Sequence, residues 1–510
     1  MPLQGVMREN ANSLVIEGRC GPRVRIFANE KVEIEQSAVD ELVSLLGIEE
    51  TISRLLESDP SYFGDGSPGI ERVAVTPDFH KGAGVPIGTV IATRDCFIPQ
   101  AVGSDVNCGM RLHITDYNAD VILSHLNELE TIFRHVFFRG GRDIPMTRIQ
   151  REALFKEGLV GLLSVTPKDF RCGLWEIAHE LGIENDLKRI HGYGSFEART
   201  TVGLDDFIGR QNEITRDGQI GSIGGGNHFV EIQVVDKILD GVTAHAWGLK
   251  LGQVVVMIHT GSVAIGHLAN MVMMETMKGM FPKGIAVPQN GIFVVPTSGK
   301  HLVSTERIRA SLNNAANFAF ANRMFLGLMT FKSLRSVCGE SAFPLLYDAP
   351  HNFVWQEKLD GKDVFLHRKG ATPARGFEEM ADTPFAYCGE PTLVPGSMGS
   401  SSFILAGRGN IEALSSASHG AGRSTSRQKA RQIEDHEIEE FMKRFRIVTP
   451  TDLRDPMVRM RRDIVEKVLN DIKSESPFVY KGIGPVIETL TDANIAQPVV
   501  ELKPLLTIKS

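Results

Sequence analysis

Ser418-His419-Gly420-Ala421-Gly422-Arg423 sets one imidazole among small residues, with a guanidinium four positions beyond it. Glycine lets backbone approach a ligand closely and turn its N–H groups toward an anion, so the hexapeptide reads as a phosphate cradle holding a nucleophile. Standing alone, a glycine-flanked histidine is more often a turn residue satisfied by backbone. Four further segments shift that balance: Asp105-Val-Asn-Cys108-Gly109, Gly224-Gly-Gly-Asn227-His228-Phe-Val-Glu231, His259-Thr-Gly261-Ser262 and His351-Asn352. A carboxylate, a thiol and three imidazoles suit a borderline divalent ion such as Zn, Mn or Co, whereas Ca and Mg sites are built from oxygen alone. The set predicts a catalytic metal centre.

Asp105 and Cys108 are three apart in a turn that ends at Gly109, close enough for both side chains to reach one ion. Ahead of His228, Gly224-Gly225-Gly226 offers backbone to a phosphate, and Asn227 and Glu231 add a donor and an acceptor. A carboxylate facing a nucleobase edge can select guanine through its N1–H and N2–H₂ donors. Pro395-Gly396-Ser397-Met398-Gly399-Ser400-Ser401-Ser402 offers amides and hydroxyls to an anion, and Asp78-Phe79-His80-Lys81-Gly82 adds another carboxylate and imidazole.

These segments need a scaffold. Short apolar runs bounded by Gly or Pro predict strands at Val24–Ala28, Gly88–Thr93, Val254–Ile258 and Ile292–Val295, and the ligand candidates fall in loops just beyond such runs. Helical periodicity predicts helices near 119–137, 305–335, 428–445 and 456–474. The span 140–215 reads as an irregular peripheral insertion. Strands and helices do not alternate, and neither a GxGxxG turn nor a Walker loop is present. The expected class is therefore α+β: one large catalytic domain over 1–510 whose ligands come from distant loops, with helical additions.

Composition sets the outer bounds. In 510 residues, 42% hydrophobic and 23% charged content is ordinary for a globular chain. The formal charge of −7 argues against a generally basic nucleic-acid-coating protein but allows a local basic groove. Candidate cations are Arg423, Arg427, Lys429 and Arg431 after the histidine cradle, His367-Arg368-Lys369 upstream, and Arg459, Arg461 and Arg462, the last three reading as a solvated helix face. Six scattered cysteines without a CxxC pair imply a reducing compartment, and no signal-like or bilayer-length apolar run is visible. A cytoplasmic location is the expectation.

Taken in order, Asp78-Phe-His80-Lys-Gly82, Asp105-Val-Asn-Cys108-Gly-Met110, Gly224-Gly-Gly-Asn-His-Phe-Val-Glu231, His259-Thr-Gly-Ser262, His351-Asn352, His367-Arg-Lys-Gly-Ala-Thr372, Pro395-Gly-Ser-Met-Gly399 and Ser418-His-Gly-Ala-Gly-Arg423 resemble the RtcB family of RNA ligases. Tyr480-Lys481 and Lys509 also fit the family's ending. The resemblance implies a GTP- and Mn-dependent ligase for tRNA splicing or RNA repair, joining RNA ends that carry a 2′,3′-cyclic phosphate or 3′-phosphate to 5′-hydroxyl ends. By that resemblance Asp105, Cys108, His228, His259 and His351 hold one or two Mn ions. His419 becomes guanylylated, with Asp78 as its catalytic companion. Asn227, Glu231, Asn352, Gly396, Ser397, Met398, Ser402, Gly420, Ala421, Gly422 and Lys509 surround the nucleotide, and Arg423 and Arg427 meet RNA phosphate.

Two positions depart from the family pattern. Val263 follows His259-Thr-Gly-Ser262, and Pro373 follows Thr372, where arginines are common. The alternatives are a family variant that mainly guanylylates 3′-phosphate ends, and a metal-dependent phosphoesterase using the same ligands without a histidine nucleophile.

Overall fold

Val254-Val-Val-Met-Ile258 is apolar at consecutive positions, the pattern of a strand covered on both faces. It forms the middle of the strand Gln253–Thr260, and all five residues are fully buried. The computed structural model describes residues 4–16, 24–209, 213–216, 218–288, 290–425 and 427–510, without the side chains of Arg427 and Gln428. Among the described residues, Gln253–Thr260 is third along a sheet ordered Leu345–Pro350, Gly109–Asn118, Gln253–Thr260, Phe229–Ile238, Ala496–Ile508, Ser402–Gly407 and Pro391–Val394, with Arg446–Val448 parallel beside Ala496–Ile508. Successive side chains of a strand point to opposite faces. Thus Val254, Val256 and Ile258 enter one core, while Val255 and Met257 enter another with Trp247 and Phe385.

The first of these cores is organised by the helix Leu302–Cys338, 37 residues long. Its small-residue face, Ala315, Ala316 and Ala319, is fully buried, as are Phe320, Phe325 and Met329. From Ala310 to Phe331 every residue but Asn313 is buried, and the helices Val263–Met280, Arg148–Val165 and Leu126–Phe138 pack against this span. The helix Arg148–Val165 lies inside the span that reads as irregular; Thr147 and Gln150 cap it reciprocally, and Gly158 kinks it at φ 63°. Leu154, Leu162 and Trp175 from that span share the core of the long helix.

A second sheet runs Met7–Asn10, Ser13–Ile16, Val24–Phe27, Gly69–His80, Ile87–Arg94, Lys362–Lys369 and Asn352–Leu359. The run Ile292–Val295 departs from expectation: only Val295–Pro296 pairs, with Cys96–Phe97. Its alternation still has meaning, since Ile292 and Val294 enter the core of the second sheet and Phe293 and Val295 the core of the first. Three helical spans are interrupted, giving Ala119–Ser124 and Leu126–Phe138, Arg427–Ala430 and Asp435–Arg444, and Pro456–Arg459 and Arg462–Ser474. No described helix is long and apolar enough to cross a membrane.

Candidate active site

Antiparallel pairing brings the ligand loops to one end of four neighbouring strands. Pro350 pairs with Gly109, Thr260 with Gly109, and His259 with both Met110 and Phe229. Asp105 and Cys108 therefore precede one strand, His228 precedes a second, His259 ends a third and His351 follows a fourth, all at the same sheet end. Cys108 Sγ lies 3.2 Å from Nε2 of both His228 and His259. His259 Nε2 is 3.3 Å from His351 Nε2, and His228 Nε2 is 2.8 Å from Asp105 Oδ2.

Cys108 is thus shared by two triads, Cys108-His259-His351 and Asp105-Cys108-His228, in each of which the donor atoms lie within 4.8 Å of one another. Four of the five side chains are buried, and the donors are the soft and borderline types that fit a transition-metal dication. Burial, with the neighbouring imidazoles, holds His259 and His351 well below the usual histidine range, so both present neutral nitrogen to an ion. Burial and the Asp105 carboxylate push the Cys108 thiol up; a coordinated cation reverses that preference. The glycines are required by space. A Cβ on Gly261 runs into Asp105 Oδ1, and one on Gly224, at φ +83°, comes 2.8 Å from His228 Nδ1.

His419 stands at the edge of this cluster, its ring centroid 4.7 Å from that of His351. The strand Ser416–Ser418 carries it there by pairing with Ala371–Pro373, directly after His351 O accepts from Ala371 N. His419 Nδ1 is 2.7 Å from Asp78 Oδ2, and Thr76 Oγ1 donates to Asp78 Oδ1 at 2.6 Å. Asp78 is fully buried; burial raises its carboxyl, but the His419 imidazole and the Thr76 hydroxyl hold it below the usual range. An ionised carboxylate only accepts. In the neutral ring the proton therefore lies on Nδ1 of His419, and the lone pair on Nε2.

A cavity of about 310 Å³ opens over His419. Its walls include His80, Lys81, Asn227, Glu231, His259, Gly396, Ser397, Met398, Gly420, Ala421, Gly422, Arg423 and Lys509. Glu231 is buried at its base, accepting from Gln233 Nε2 at 2.7 Å and from Thr507 Oγ1. Burial pushes its carboxyl up to about 7, against those two bonds and the charge of Lys509. Lys509 Nζ bonds the carbonyls of Gly226 and His228, joining the chain's last strand to the metal-ligand loop.

Not every sequence candidate lines the cavity. Ser402 sits behind the wall, accepting from Gly396 N at 3.0 Å and Gln233 Nε2 at 2.9 Å. Asn352 links loops instead, taking Gly370 N at 2.7 Å and reaching Asp105 O at 3.4 Å. The Arg423 guanidinium is held by Glu475 at 3.2 Å, by Ser474 O at 2.8 Å and over the Tyr480 ring. Arg427 opens the short helix Arg427–Ala430, and its side chain lies outside the described residues.

Other contributors carry no motif. Arg323, on the helix Leu302–Cys338, is fully buried; it donates to Asn107 O at 2.7 Å, to Thr260 O at 3.1 Å and to Asp348 at 2.9 Å. Its neighbour Asn322 binds Gly261 O at 3.2 Å and Ser222 O at 2.9 Å. This pair on the long helix fastens the backbone beside Cys108 and His259. An asparagine and an arginine set in the otherwise apolar run Phe318–Leu328 were the available signal.

A thiol, a carboxylate and three imidazoles that could hold a metal ion converge beside an Asp-paired histidine, which defines the class as a candidate metal-binding enzyme. Residues 66–510 match the family model described as tRNA-splicing ligase RtcB. The chain is 33% identical over 460 residues to a tRNA-splicing ligase RtcB of Thermococcus kodakarensis, covering 86% of this chain and 88% of that protein. It is 34% identical over 460 residues to the RNA-splicing ligase RtcB of Mycobacterium tuberculosis, covering 87% and 98%. Over 510 residues it is 30% identical to the tRNA-splicing ligase RtcB of Nanoarchaeum equitans, covering 97% and 96%. The chain belongs to the RtcB family.

Proposed function

We propose that this protein is an RNA ligase of tRNA splicing or RNA repair, joining 3′-phosphate or 2′,3′-cyclic phosphate ends to 5′-hydroxyl ends with GTP as cosubstrate. The observation that carries the reading is the His419–Asp78 pair at 2.7 Å, set beside five convergent metal ligands and under a glycine-walled cavity. Asp105, Cys108, His228, His259 and His351 would hold one or two Mn ions. Such ions neutralise phosphate charge during phosphoryl transfer.

The chain's own residues supply the rest. Asp78 fixes the tautomer, so His419 Nε2 attacks the α-phosphorus of GTP and pyrophosphate leaves. Asp78 then faces the positive charge that develops on the ring. An RNA 3′-phosphate oxygen attacks the phosphorus of histidine-bound GMP, returning His419 and giving an RNA end capped through a pyrophosphate. The 5′-hydroxyl attacks the RNA phosphorus, GMP departs, and the phosphodiester is complete. A cyclic phosphate is first opened by water. Amides of Gly420, Ala421 and Gly422, with Asn227, Ser397 and Lys509, would hold the nucleotide, and Glu231 would accept from guanine; all of them line the cavity over His419.

The test is incubation with GTP labelled at the α-phosphate and Mn, followed by a chase with 3′-phosphate RNA and then 5′-hydroxyl RNA. Acid-labile label on the protein that passes to RNA and leaves as GMP is expected. Label absent with every nucleotide and metal tried, together with phosphate release from RNA ends, would replace the ligase with a metal-dependent phosphoesterase. Val263 and Pro373, apolar where family arginines are common, favour one second reading, a variant that caps 3′-phosphate ends and joins them poorly. Capped RNA accumulating over joined RNA identifies it.

Glu231 gives a pH signature. Only the ionised carboxylate accepts both guanine donors, and its proton is lost near pH 7. GTP affinity without metal is expected to rise by about tenfold per pH unit below 7 and to level off above pH 8. Calorimetric titrations at these pH values check it. Glu231→Gln should bind weakly with no such slope, and a wild-type affinity flat with pH removes Glu231 from guanine.

A further inference from the structure

We infer that a basic groove on the C-terminal side of the molecule carries the body of the RNA toward His419; the inference rests on the RNA-ligase reading above. The groove, about 860 Å³, lies between the helix Leu126–Phe138 and the elements after residue 438. Six cations, Arg134, Lys443, Arg444, Arg446, Arg454 and Arg459, line it against three carboxylates, Glu130, Glu439 and Asp452. A chain of net charge −7 thus concentrates positive charge in one concavity, the pattern expected for a polyanion.

The arrangement of those charges fits the same ligand. Glu130 is buried beneath the groove and anchors three guanidiniums: Arg134 at 2.7 Å, Arg446 at 2.6 Å and Arg454. One buried carboxylate shared by three arginines orients them, Asp452 pairs with two of the three, and the lining still holds more cations than carboxylates. Lys443, Arg444 and Arg459 are exposed at the rim. Between them Leu126, Met442, Phe445 and Leu453 make an apolar floor on which ribose and base faces can rest while phosphates face the rim.

Position decides for RNA over an acidic protein. Thr449 and Thr451 wall both this groove and a neighbouring cavity that also contains Arg431 and Lys467. Glu475 and Lys509 wall both that cavity and the one over His419. Three hollows thus adjoin in turn, from the candidate nucleophile to the arginine rim. A strand whose terminal phosphate lies at His419 would follow this row of hollows with its next nucleotides.

The experiment compares wild type with Arg444→Glu and Arg459→Glu, both exposed, using labelled 3′-phosphate RNAs of about 16 and about 4 nucleotides. His419 labelling from GTP, which involves no RNA, serves as the reference for folded enzyme. Each variant is expected to bind the longer RNA roughly tenfold more weakly, with the slope of log affinity against log salt reduced by about one, for any sequence. The short RNA should bind wild type and variants alike. Equal binding of the longer RNA by all three proteins overturns the groove assignment and points to an acidic protein partner there. Wild type that takes no label from GTP and binds neither RNA refutes the ligase reading instead.

Discussion

His419→Ala is expected to take up no label from GTP, and Asp78→Asn to slow labelling by about 10²–10⁴-fold while leaving the fold intact. The reason is the hydrogen-bond geometry. Asp78 Oδ2 lies 2.7 Å from His419 Nδ1 and 3.3 Å from His419 N, so the carboxylate fixes both ring and backbone. An Asn amide presented in its place donates to Nδ1, which pushes the proton to Nε2 and removes the attacking lone pair. Rotated to present its oxygen, it keeps the tautomer but not the charge that offsets the developing imidazolium. GTP affinity should change little in Asp78→Asn, because the side chain is enclosed beneath the ring. Rapid-quench rates of label uptake, with nucleotide binding measured in parallel, separate the two effects. An unchanged rate would remove Asp78 from catalysis.

The second large effect concerns stability. Arg323→Met is expected to cost about 3–5 kcal/mol of unfolding free energy, measured by urea denaturation of metal-free protein. Arg323 and Asp348 are both fully buried, and Arg111 also reaches Asp348, at 3.1 Å. Removing one guanidinium leaves the carbonyls of Asn107 and Thr260 short of a donor as well. Since those carbonyls adjoin Cys108 and His259, metal affinity should also fall by about 10–100-fold. Arg323→Lys keeps the charge but loses the planar fork, so it should recover part of the stability and little of the metal affinity. Full metal affinity in Arg323→Met would confine the residue to the fold.

Much of the site was legible because its chemistry is tied to residue type. Asp105, Cys108, His228, His259 and His351 are residue types that can coordinate, and the fold brings all five together in two groups that could hold a metal ion. Glycine placement added spatial information, since Gly224 and Gly261 lie where any side chain would collide with a ligand residue. Ser402 and Asn352 show the limit: residue type could not tell a cavity wall from the support behind it. Ser402 Oγ accepts from Gly396 N and the Gln233 amide, and the Asn352 side chain bonds the backbone of Gly370 and Asp105.

The sequence by itself determined which groups can coordinate, attack and donate, and that the strand Gln253–Thr260 is covered on both faces, because these follow from side-chain chemistry and local periodicity. Tertiary structure decided the rest. Antiparallel register placed four distant loops at one sheet end, and the pairing of Ser416–Ser418 with Ala371–Pro373 brought His419 341 residues along the chain to Asp78. The long helix supplied Arg323 as the clamp, and the packing of the C-terminal elements against Leu126–Phe138 gathered scattered arginines around Glu130. Such pairings depend on contacts between residues hundreds of positions apart, which no local pattern encodes.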